Sequence, residues 1–182
     1  MTVSKQITVE KITGVALMRR ACEMTMHGQT SKASLDKLYK AEHSPIRTQL
    51  FWIELVGIPT FVSVHFVRHK IGVEHFVKSM RDDLYIDPDD YSKVDRNTPL
   101  HHGMFINAQS LIQLSRKRLC LKSHHVTGGW MQRIRKQVRK VDEDLYRYMV
   151  PECVYRNGYC PEMTECDPGL SCVVAAYERE SI

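Results

Sequence analysis

The stretch QLFWIELVGIPTFVSVHFVRHKIGVEHFVKSMR, residues 49–81, decides the fold class. Its first part, QLFWIELV, is aromatic and β-branched and is followed by GIP, which predicts a strand over residues 49–56 and then a turn. Next, apolar residues and the pair His65 and His69 recur at helical spacing, which favours a helix. VEHFVKSMR has the composition of a second strand. The stretch therefore indicates a domain in which helices accompany a small sheet.

Helices are predicted on both sides of this stretch. A stripe of residues at helical spacing predicts a first helix near residues 14–27. That stripe consists of Ala16, Leu17, Arg20, Ala21 and Met24. Ser34 is placed to cap a short second helix that carries Leu35, Leu38 and Tyr39.

Two longer helices are predicted in the second half of the chain. Apolar spacing predicts one from Phe105 to Cys120, and SHHVTGG then breaks it. A clear amphipathic pattern runs from Trp130 to Met149, and Pro151 closes it. Helices combined with a few antiparallel strands indicate an α+β fold, with a small antiparallel sheet flanked by helices.

The composition is that of one globular domain. The 182 residues are 43% apolar and 26% charged, close to the globular average, which excludes a disordered or fibrous chain. No apolar run approaches the ~20 residues of a membrane helix. The start MTVSKQITVEKITG lacks the apolar core of a signal peptide. We therefore expect a cytoplasmic protein, bacterial or in a phage-infected cell, with no membrane partner.

Charge is segregated along the chain. The net charge is +5, yet residues 96–141 contain no Asp or Glu, so the rest of the chain is net acidic, at −5. The basic residues of this region are Arg96, Arg116, Lys117, Arg118, Lys122, Arg133, Arg135, Lys136, Arg139 and Lys140. Such segregation attracts an anionic partner, usually a phosphate, although a solvated helix face also produces it.

Three blocks together resemble the flavin-dependent thymidylate synthases (ThyX), in particular short divergent members from phage-type sequences. The blocks are HSPIRTQLFWIELVGIPTFVSVHFVRHK at 43–70, SMR at 79–81 and INAQSLIQLSRKRLC at 106–120. The family carries an Arg-His-Arg signature, a Ser-x-Arg, and an Asn-Ala-Arg helix that leads into a second arginine cluster. The likeness covers residues 42–128. It implies a single ThyX-like domain over residues 1–182 and a homotetramer.

The resemblance implies an FAD site, because several charge-assisted donors are needed to hold a flavin diphosphate. The residues carried over to the flavin are Ser44, Arg68, His69, Lys70, Asn107, Arg116 and Arg118. Lys70 stands where the family has arginine, which replaces a bidentate fork with a point charge. Gln109 likewise replaces the arginine of the Asn-Ala-Arg motif.

The resemblance also implies a site for a pyrimidine deoxynucleoside monophosphate. The residues carried over to it are His65, Arg68, Ser79, Arg81 and Arg96, of which Ser79 and Arg81 are assigned as catalytic. Reaching Ser79 requires one residue more than the family spacing; without an insertion, Lys78 takes its place. In the family, methylenetetrahydrofolate donates the one-carbon unit, reduced FAD supplies hydride and NADPH regenerates the flavin. The predicted activity is methylation of dUMP at C5.

One departure from the family puts catalysis in doubt. The family's second essential arginine, which favours the N3-deprotonated uracil, falls on Gly128 here, within SHHVTG. Losing one such donor typically costs on the order of 100 to 1000-fold in rate. Three accounts are open: Arg133 or Arg135 reaches the site, His124 or His125 substitutes, or the base is not uracil.

Two other functions compete with dUMP methylation. One is a flavin-dependent methylase or hydroxymethylase of another pyrimidine nucleotide, such as dCMP, in phage DNA modification. The other is a catalytically inactive ThyX-like protein that binds nucleotides or nucleic acid through the basic region 96–141.

Metal binding is not favoured by the sequence. His65 and His69 lack a third ligand. The Cys-rich tail, 151–182, holds Cys153, Cys160, Cys166 and Cys172. Their spacing has no CxxC pair, which favours reduced, buried thiols over a structural zinc site. Four methionines are expected to fill the core: Met24, Met26, Met80 and Met104.

Overall fold

A four-stranded antiparallel sheet is the framework of the computed structural model, which describes residues 5–26, 32–84, 91–166 and 177. The strands are β1 (Gln6–Lys11), β2 (Leu50–Pro59), β3 (Val73–Val77) and β4 (Pro99–Asn107). Their order in the sheet is β1-β2-β4-β3.

Seven α-helices are found in the described residues, together with 3-10 helices at Ser44–Thr48 and Asp82–Leu84. The α-helices are α1 (Val15–Thr25), α2 (Leu35–Ala41), α3 (Thr60–Val67), α4 (Ala108–Arg118), α5 (His125–Val141), α6 (Glu143–Tyr148) and α7 (Glu152–Tyr155). The predicted α+β class, with a small antiparallel sheet flanked by helices, is confirmed. None of the described helices is both long and apolar enough to cross a bilayer.

Strand β2 follows from its alternating sequence. Phe51, Ile53 and Leu55 are fully buried on one face, as the period of a half-buried strand requires. The predicted strand is confirmed, but the predicted turn at GIP is wrong. Gly57 adopts a left-handed conformation, φ 72, at a register shift, and the strand continues to Pro59. The glycine makes a bulge in the strand instead of a turn.

The start of the helix predicted from Phe105 to Cys120 is wrong, because its first residues belong to strand β4. The strand extends through Asn107 and pairs with both β2 and β3, so the helix begins only at Ala108. Alternate residues of β4 are buried: Leu100, His102, Met104 and Ile106. A buried histidine interrupts the apolar alternation, which concealed the strand.

Helix α1 lies where it was predicted, but it buries a different face. Met18 and Cys22 are the buried residues, whereas Met24 is 85% exposed. The predicted stripe is therefore wrong. The core assignment of the methionines is confirmed for Met104 but wrong for Met24 and Met26, which are exposed, and Met80 is half-buried.

The helix predicted from Trp130 to Met149 is two helices. Asp142 has a non-helical backbone, φ −155 and ψ 89, and separates α5 from α6. Its carboxylate Oδ1 accepts a hydrogen bond from the Leu145 amide (2.9 Å), which caps α6. At the other end, VTGG lies inside α5, so the break predicted at SHHVTGG is confined to residues before His125.

The same Asp142 ties three distant elements together. Lys11 Nζ from β1 lies 2.6 Å from Asp142 Oδ2, and the Tyr39 hydroxyl of α2 donates to that oxygen at 2.7 Å. Burial and Asp142 raise the pKa of Tyr39, so its hydroxyl stays a donor. A buried carboxylate with two partners and a capping amide is well compensated for its lost hydration.

Candidate functional site

Helix α3 brings the arginine and histidine of RHK to one end of the sheet. The helix ends at Val67, and Arg68 is its C-cap, so His69 and Lys70 stand in the turn toward β3. These three residues line an open cavity of about 370 Å³, together with Ile71, Ser110 and Gln113. The three RHK residues assigned to flavin from the resemblance therefore share one cavity.

Arg118 reaches the same end of α3 from helix α4. Its Nη2 donates to the His65 carbonyl at 2.6 Å. Its Nε is buried and has no hydrogen-bond partner within the described ranges. Burial and the neighbouring Arg68 lower the pKa of the Arg118 guanidinium. The structure therefore brings Arg68 and Arg118, which are far apart in sequence, into one electropositive cluster.

The pKa values of the two histidines beside Arg118, His65 and His69, are lowered by burial and by neighbouring positive charge. Burial, Arg118, His75 and Lys117 lower the pKa of His69 to about 4. Burial, followed by Arg118 and Arg68, also lowers the pKa of His65. An anionic ligand would relieve this repulsion, so the cluster favours the binding of negative charge.

A chain of side-chain hydrogen bonds links strands β3 and β4 to helix α3 and to the His69 carbonyl. His75 Nε2 lies 2.8 Å from the His69 carbonyl, and His75 Nδ1 lies 2.9 Å from His102 Nε2. His102 Nδ1 lies 3.0 Å from Ser63 Oγ. The carbonyl can only accept, so His75 Nε2 carries hydrogen, and in neutral rings His102 Nε2 must donate in turn. The chain is fully satisfied when both histidines are neutral.

This chain predicts a loss of stability in acid. Burial, then His75, lowers the pKa of His102 to about 4, while its unfolded value is near 6.5. The unfolded state therefore binds the proton first, and the free energy of unfolding falls as pH drops from about 6.5 to about 4. For this fully buried group the loss is about 3 kcal/mol.

Urea unfolding at several pH values checks this prediction. His102→Gln is expected to flatten the decline between pH 6.5 and 4. His101→Gln, at the exposed neighbouring position of β4, should keep the wild-type slope. An unchanged slope in His102→Gln would contradict the neutral chain.

The turn after Lys70 is held against the start of α4. Asn107 caps α4, since its Oδ1 accepts from the Ser110 amide at 2.9 Å, and its own amide donates to the Gly72 carbonyl. The Ser110 hydroxyl donates to the Ile71 carbonyl at 2.6 Å. Asn107, assigned to flavin from the resemblance, is therefore placed beside the RHK cavity and anchors its wall.

Gly72→Ala is expected to destabilise the protein by about 2 kcal/mol. Gly72 has φ +68, and an added Cβ would lie 2.2 Å from Asn107 Nδ2. The turn or the cap must therefore move. Thermal unfolding compared with Gly14→Ala is the measurement, because a Cβ at Gly14 meets nothing within 4 Å. Equal melting temperatures for the two variants would refute the tight packing.

Helix α4 directs its polar residues to two places. Ser110 and Gln113 face the RHK cavity, and Lys117 is close enough to lower the pKa of His69. On another face, Gln109 and Arg116 both donate to the Glu42 carboxylate. The Arg116 guanidinium also lies over the Tyr155 ring, 3.5 Å from its centroid. Arg116, assigned to flavin with Arg118, is thus separated from the cluster and is already paired.

A second part of the site surrounds Phe61. The Arg96 guanidinium lies 5.0 Å from the Phe61 ring centroid, and the His124 ring lies 4.9 Å from it. His65 Nδ1 is hydrogen bonded to the buried Thr127 hydroxyl at 2.8 Å. The structure therefore brings Arg96 and His65, both assigned to the nucleotide, next to a histidine from the start of α5.

Gly128, where the resemblance places the family's second arginine, lies at a close contact between two helices. A Cβ on Gly128 would lie 3.4 Å from the Arg118 carbonyl, so α5 packs close to the end of α4 there. Arg135 is buried, 3.8 Å from the Tyr146 ring centroid, and Arg133 is exposed beside Trp130. Of the replacements considered, His124 is the one placed beside His65.

Three other assigned residues lie apart from the cluster. Ser79 and Arg81 follow β3 and are exposed, and Arg81 forms a two-bond ion pair with Asp83. Ser44 is exposed at the start of its 3-10 helix and lines a different cavity with Cys22 and Pro45. Within the described part of the chain, the cluster does not include them.

Sequence reasoning missed Phe61, Ser110, Gln113 and His75 as site residues. A signal existed for two of them. Ser110 and Gln113 follow Asn107 at three-residue intervals, so the helix places all three on one side. For His75 there was no such signal, because its contact with the His69 carbonyl depends on how β3 packs beside the end of α3.

Comparison with known proteins gives fold similarity without sequence similarity. No family model and no curated protein sequence matches the chain. Two structures of thymidylate synthase X (ThyX) from Helicobacter pylori with FAD and dUMP align with TM-scores of 0.61 and 0.65 at 12% identity. They cover 79% and 80% of this chain and 99% of their own.

The UMP/dUMP methylase PolB from Streptomyces cacaoi, bound with 5-Br dUMP, aligns with a TM-score of 0.58 at 12% identity. It covers 79% of this chain and 94% of its own. The ThyX-like fold implied by the resemblance is therefore confirmed. At this identity the likeness establishes the fold, and the chemistry must be argued from the residues.

Proposed function

We propose that this protein binds FAD and a pyrimidine deoxynucleoside monophosphate and methylates the base at C5, as a flavin-dependent thymidylate synthase-like enzyme. The observation that carries the proposal is the convergence of Arg68 and Arg118. Burial, followed by the neighbouring Arg68, lowers the pKa of Arg118, and among the described residues no carboxylate forms an ion pair with either arginine. The cluster is therefore suited to a polyanion.

The residues fit the diphosphate of a flavin dinucleotide. Arg68, His69 and Lys70 line one cavity with Ser110 and Gln113, which combines charged and neutral donors. The Arg118 guanidinium adds positive charge beside this cavity, since it is close enough to lower the pKa of His69. A bound flavin would supply hydride, with NADPH as reductant and methylenetetrahydrofolate as the one-carbon donor. The protein's own part is to bind, orient and exclude water.

The nucleotide would lie near Phe61. Arg96 and His65 offer hydrogen bonds to an anion or a base, and the Phe61 ring offers a surface for stacking. Ser79 and Arg81, assigned to the phosphate, are exposed and apart from this cluster. We propose that they complete the site of a neighbouring subunit in a homotetramer. Arg81 would then exchange Asp83 for the phosphate.

His124 is the proposed replacement for the family's second arginine. It lies beside His65 with ring centroids 6.3 Å apart and stacks on His125 at 4.7 Å. A histidine supplies one hydrogen bond where arginine supplies a fixed fork of donors. Stabilisation of a deprotonated uracil would therefore be weaker. This observation also favours the second candidate, a site for a base such as cytosine, which has no N3 proton to lose.

Flavin absorbance and calorimetric titrations test the proposal. We expect the purified protein to carry or take up FAD and then to bind dUMP or dCMP, with the tighter of the two identifying the base. Formation of the C5-methyl product with NADPH and methylenetetrahydrofolate would establish catalysis. Failure to bind FAD, together with salt-sensitive binding of DNA or RNA, would instead support the inactive, nucleic-acid-binding alternative.

A further inference from the structure

The cysteines of the tail form no metal site within the described part of the chain. Cys153 and Cys160 are buried and Cys166 is half-buried, all as free thiols. No group of three or more His, Cys, Asp or Glu side chains is arranged to hold a metal ion in the ranges that the structure describes. Cys172 lies outside the described residues. The histidines beside the RHK cavity, by contrast, contact one another directly.

The histidine chain, which runs from Ser63 through His102 and His75, ends on a wall of the RHK cavity. His75 Nε2 lies 2.8 Å from the carbonyl of His69, which lines that cavity together with Lys70. This carbonyl belongs to the peptide that joins the two lining residues. Because a trans peptide is planar, the direction of the carbonyl also fixes the direction of the Lys70 amide. His75 therefore sets the orientation of a peptide in the cavity wall.

The histidine chain has one complete set of hydrogen bonds when both rings are neutral. His75 Nε2 donates to the carbonyl, so its Nδ1 accepts from His102 Nε2. His102 Nδ1 then accepts from the Ser63 hydroxyl.

The chain has a second complete set when one proton is added. A protonated His75 carries hydrogen on both nitrogens, so its Nδ1 donates to His102 Nε2 while its Nε2 still donates to the carbonyl. His102 then carries its own hydrogen on Nδ1 and donates to the Ser63 hydroxyl. A serine hydroxyl both donates and accepts, so the chain reverses without any movement of heavy atoms. Distances of 2.9 and 3.0 Å suit both directions.

A second added proton breaks the chain. His75 Nδ1 and His102 Nε2, which are 2.9 Å apart, would then both carry hydrogen. Two cations would face each other with no acceptor between them. His102 and Ser63 are only 1% and 2% exposed, so little water is available to screen the charges. The intact chain therefore holds at most one proton.

Positive charge at the end of α3 opposes uptake of that proton. Burial, followed by charge on Arg118 and Lys117 of α4, lowers the pKa of His69. Burial, then His75, lowers the pKa of His102 to about 4. The other titratable groups that share a cavity with His75 and His102 are Glu54, Lys78 and His101.

Negative charge from the protein does not offset this repulsion. Among the described residues no carboxylate forms an ion pair with His75 or His102. Glu54, the carboxylate that lines a cavity with them, accepts a hydrogen bond from the Trp52 indole at 2.9 Å. An anion bound in the RHK cavity is therefore the group that can compensate an added proton.

We propose that the histidine chain takes up one proton when an anion binds in the RHK cavity, and that His75 is a positioning residue for that anion. The negative charge of the ligand offsets the repulsion from Arg118 and Lys117, so the chain changes from its neutral to its singly protonated set of hydrogen bonds. The His69 carbonyl keeps its partner in both sets. The inference rests on the proposed function in one respect, because the anion is the diphosphate of FAD.

Proton uptake makes binding tighter as the pH falls. If the complex holds one proton more than the separate partners, the dissociation constant for FAD decreases by up to about tenfold per pH unit. The effect ends at the pH where the chain is already protonated before binding. Binding then weakens once a second proton breaks the chain.

Calorimetric titration of the apoprotein with FAD between about pH 5.5 and 7 tests the inference. The heat measured in buffers of different ionisation enthalpy gives the number of protons taken up per flavin. We expect the wild-type uptake to approach one proton toward the lower pH. The double variant His75→Gln with His102→Gln keeps a donor for the His69 carbonyl but has no ring to protonate. It should bind FAD with an uptake lower by close to one proton.

His101→Gln, at an exposed position of β4, is the matched control and should keep the wild-type uptake. Nuclear magnetic resonance of the histidine ring nitrogens gives the same answer in the wild type, without requiring a variant to fold. The signals of His75 and His102 should change to those of a singly protonated pair when FAD is added.

Two outcomes overturn the inference and leave the proposed function standing. One is FAD binding by the wild type with no proton uptake. The other is equal uptake in the wild type and in the folded double variant, because the proton would then belong to His65 or His69. If the wild type does not bind FAD, the proposed function fails and this inference fails with it.

Discussion

Arg118→Ala is expected to weaken FAD binding by about 100-fold, corresponding to loss of one strong hydrogen bond to a charged partner. Arg118 is half-buried at the cluster, its Nη2 positions the last turn of α3 through the His65 carbonyl, and its Nε has no partner among the described residues. The substitution removes both a donor and the support of α3. Titration of apoprotein, monitored by quenching of flavin fluorescence, measures the change.

Arg116→Ala is the matched control on the same helix. Its guanidinium pairs with Glu42 and stacks on Tyr155, so its loss should lower the melting temperature and leave the dissociation constant for FAD near the wild-type value. The family resemblance assigns both arginines to flavin, whereas the structure separates them. Equal loss of flavin in the two variants would contradict the separation of the two faces of α4.

Asp142→Ala is expected to lower the free energy of unfolding by about 3 to 5 kcal/mol. Lys11 and the Tyr39 hydroxyl would both lose their acceptor in a buried place. The amide of Leu145 would lose its cap as well. An uncompensated buried cation is costly, which makes this effect larger than that of an ordinary core truncation. Urea unfolding at pH 7 measures the change.

Glu143→Ala, at the adjacent position, provides the comparison. Glu143 is exposed and forms a surface pair with Arg139 at 3.5 Å, so its removal should change the free energy of unfolding by less than about 1 kcal/mol. A double variant, Lys11→Met with Asp142→Leu, should recover part of the stability because no charge is then left buried. Similar losses in Asp142→Ala and Glu143→Ala would show that the buried network contributes little.

Local patterns predicted several elements well because their cause is local. Strand β2 follows from alternation, and the Ser34 cap of α2 follows from a hydroxyl that accepts a hydrogen bond from the Lys37 amide. Helix α1 was predicted in the right place, although its buried face was not. Strand β4 failed because its alternation includes His102, a polar residue that becomes acceptable in the core only through Ser63 and His75. Those partners come from α3 and β3, and local pattern contains no information about them.

In the candidate site, too, some features follow from local sequence and others only from tertiary packing. The RHK residues were assigned from the family resemblance, and because they are consecutive they lie close together in any fold. The separation of Arg116 from Arg118 was not identified, because which face of α4 meets α3 depends on how the two helices pack. His124 was one of four residues considered as replacements for the family's second arginine. Only the packing of α5 against α3 placed it beside His65.

The sequence by itself determined the α+β class and the basic region 96–141, because composition and periodicity are properties of neighbouring residues. Tertiary structure decided that β4 lies between β2 and β3 and that Arg118 lies near Arg68. Each of these pairings joins residues far apart in the chain. Their proximity is selected by burial of the whole core, which no short stretch can specify.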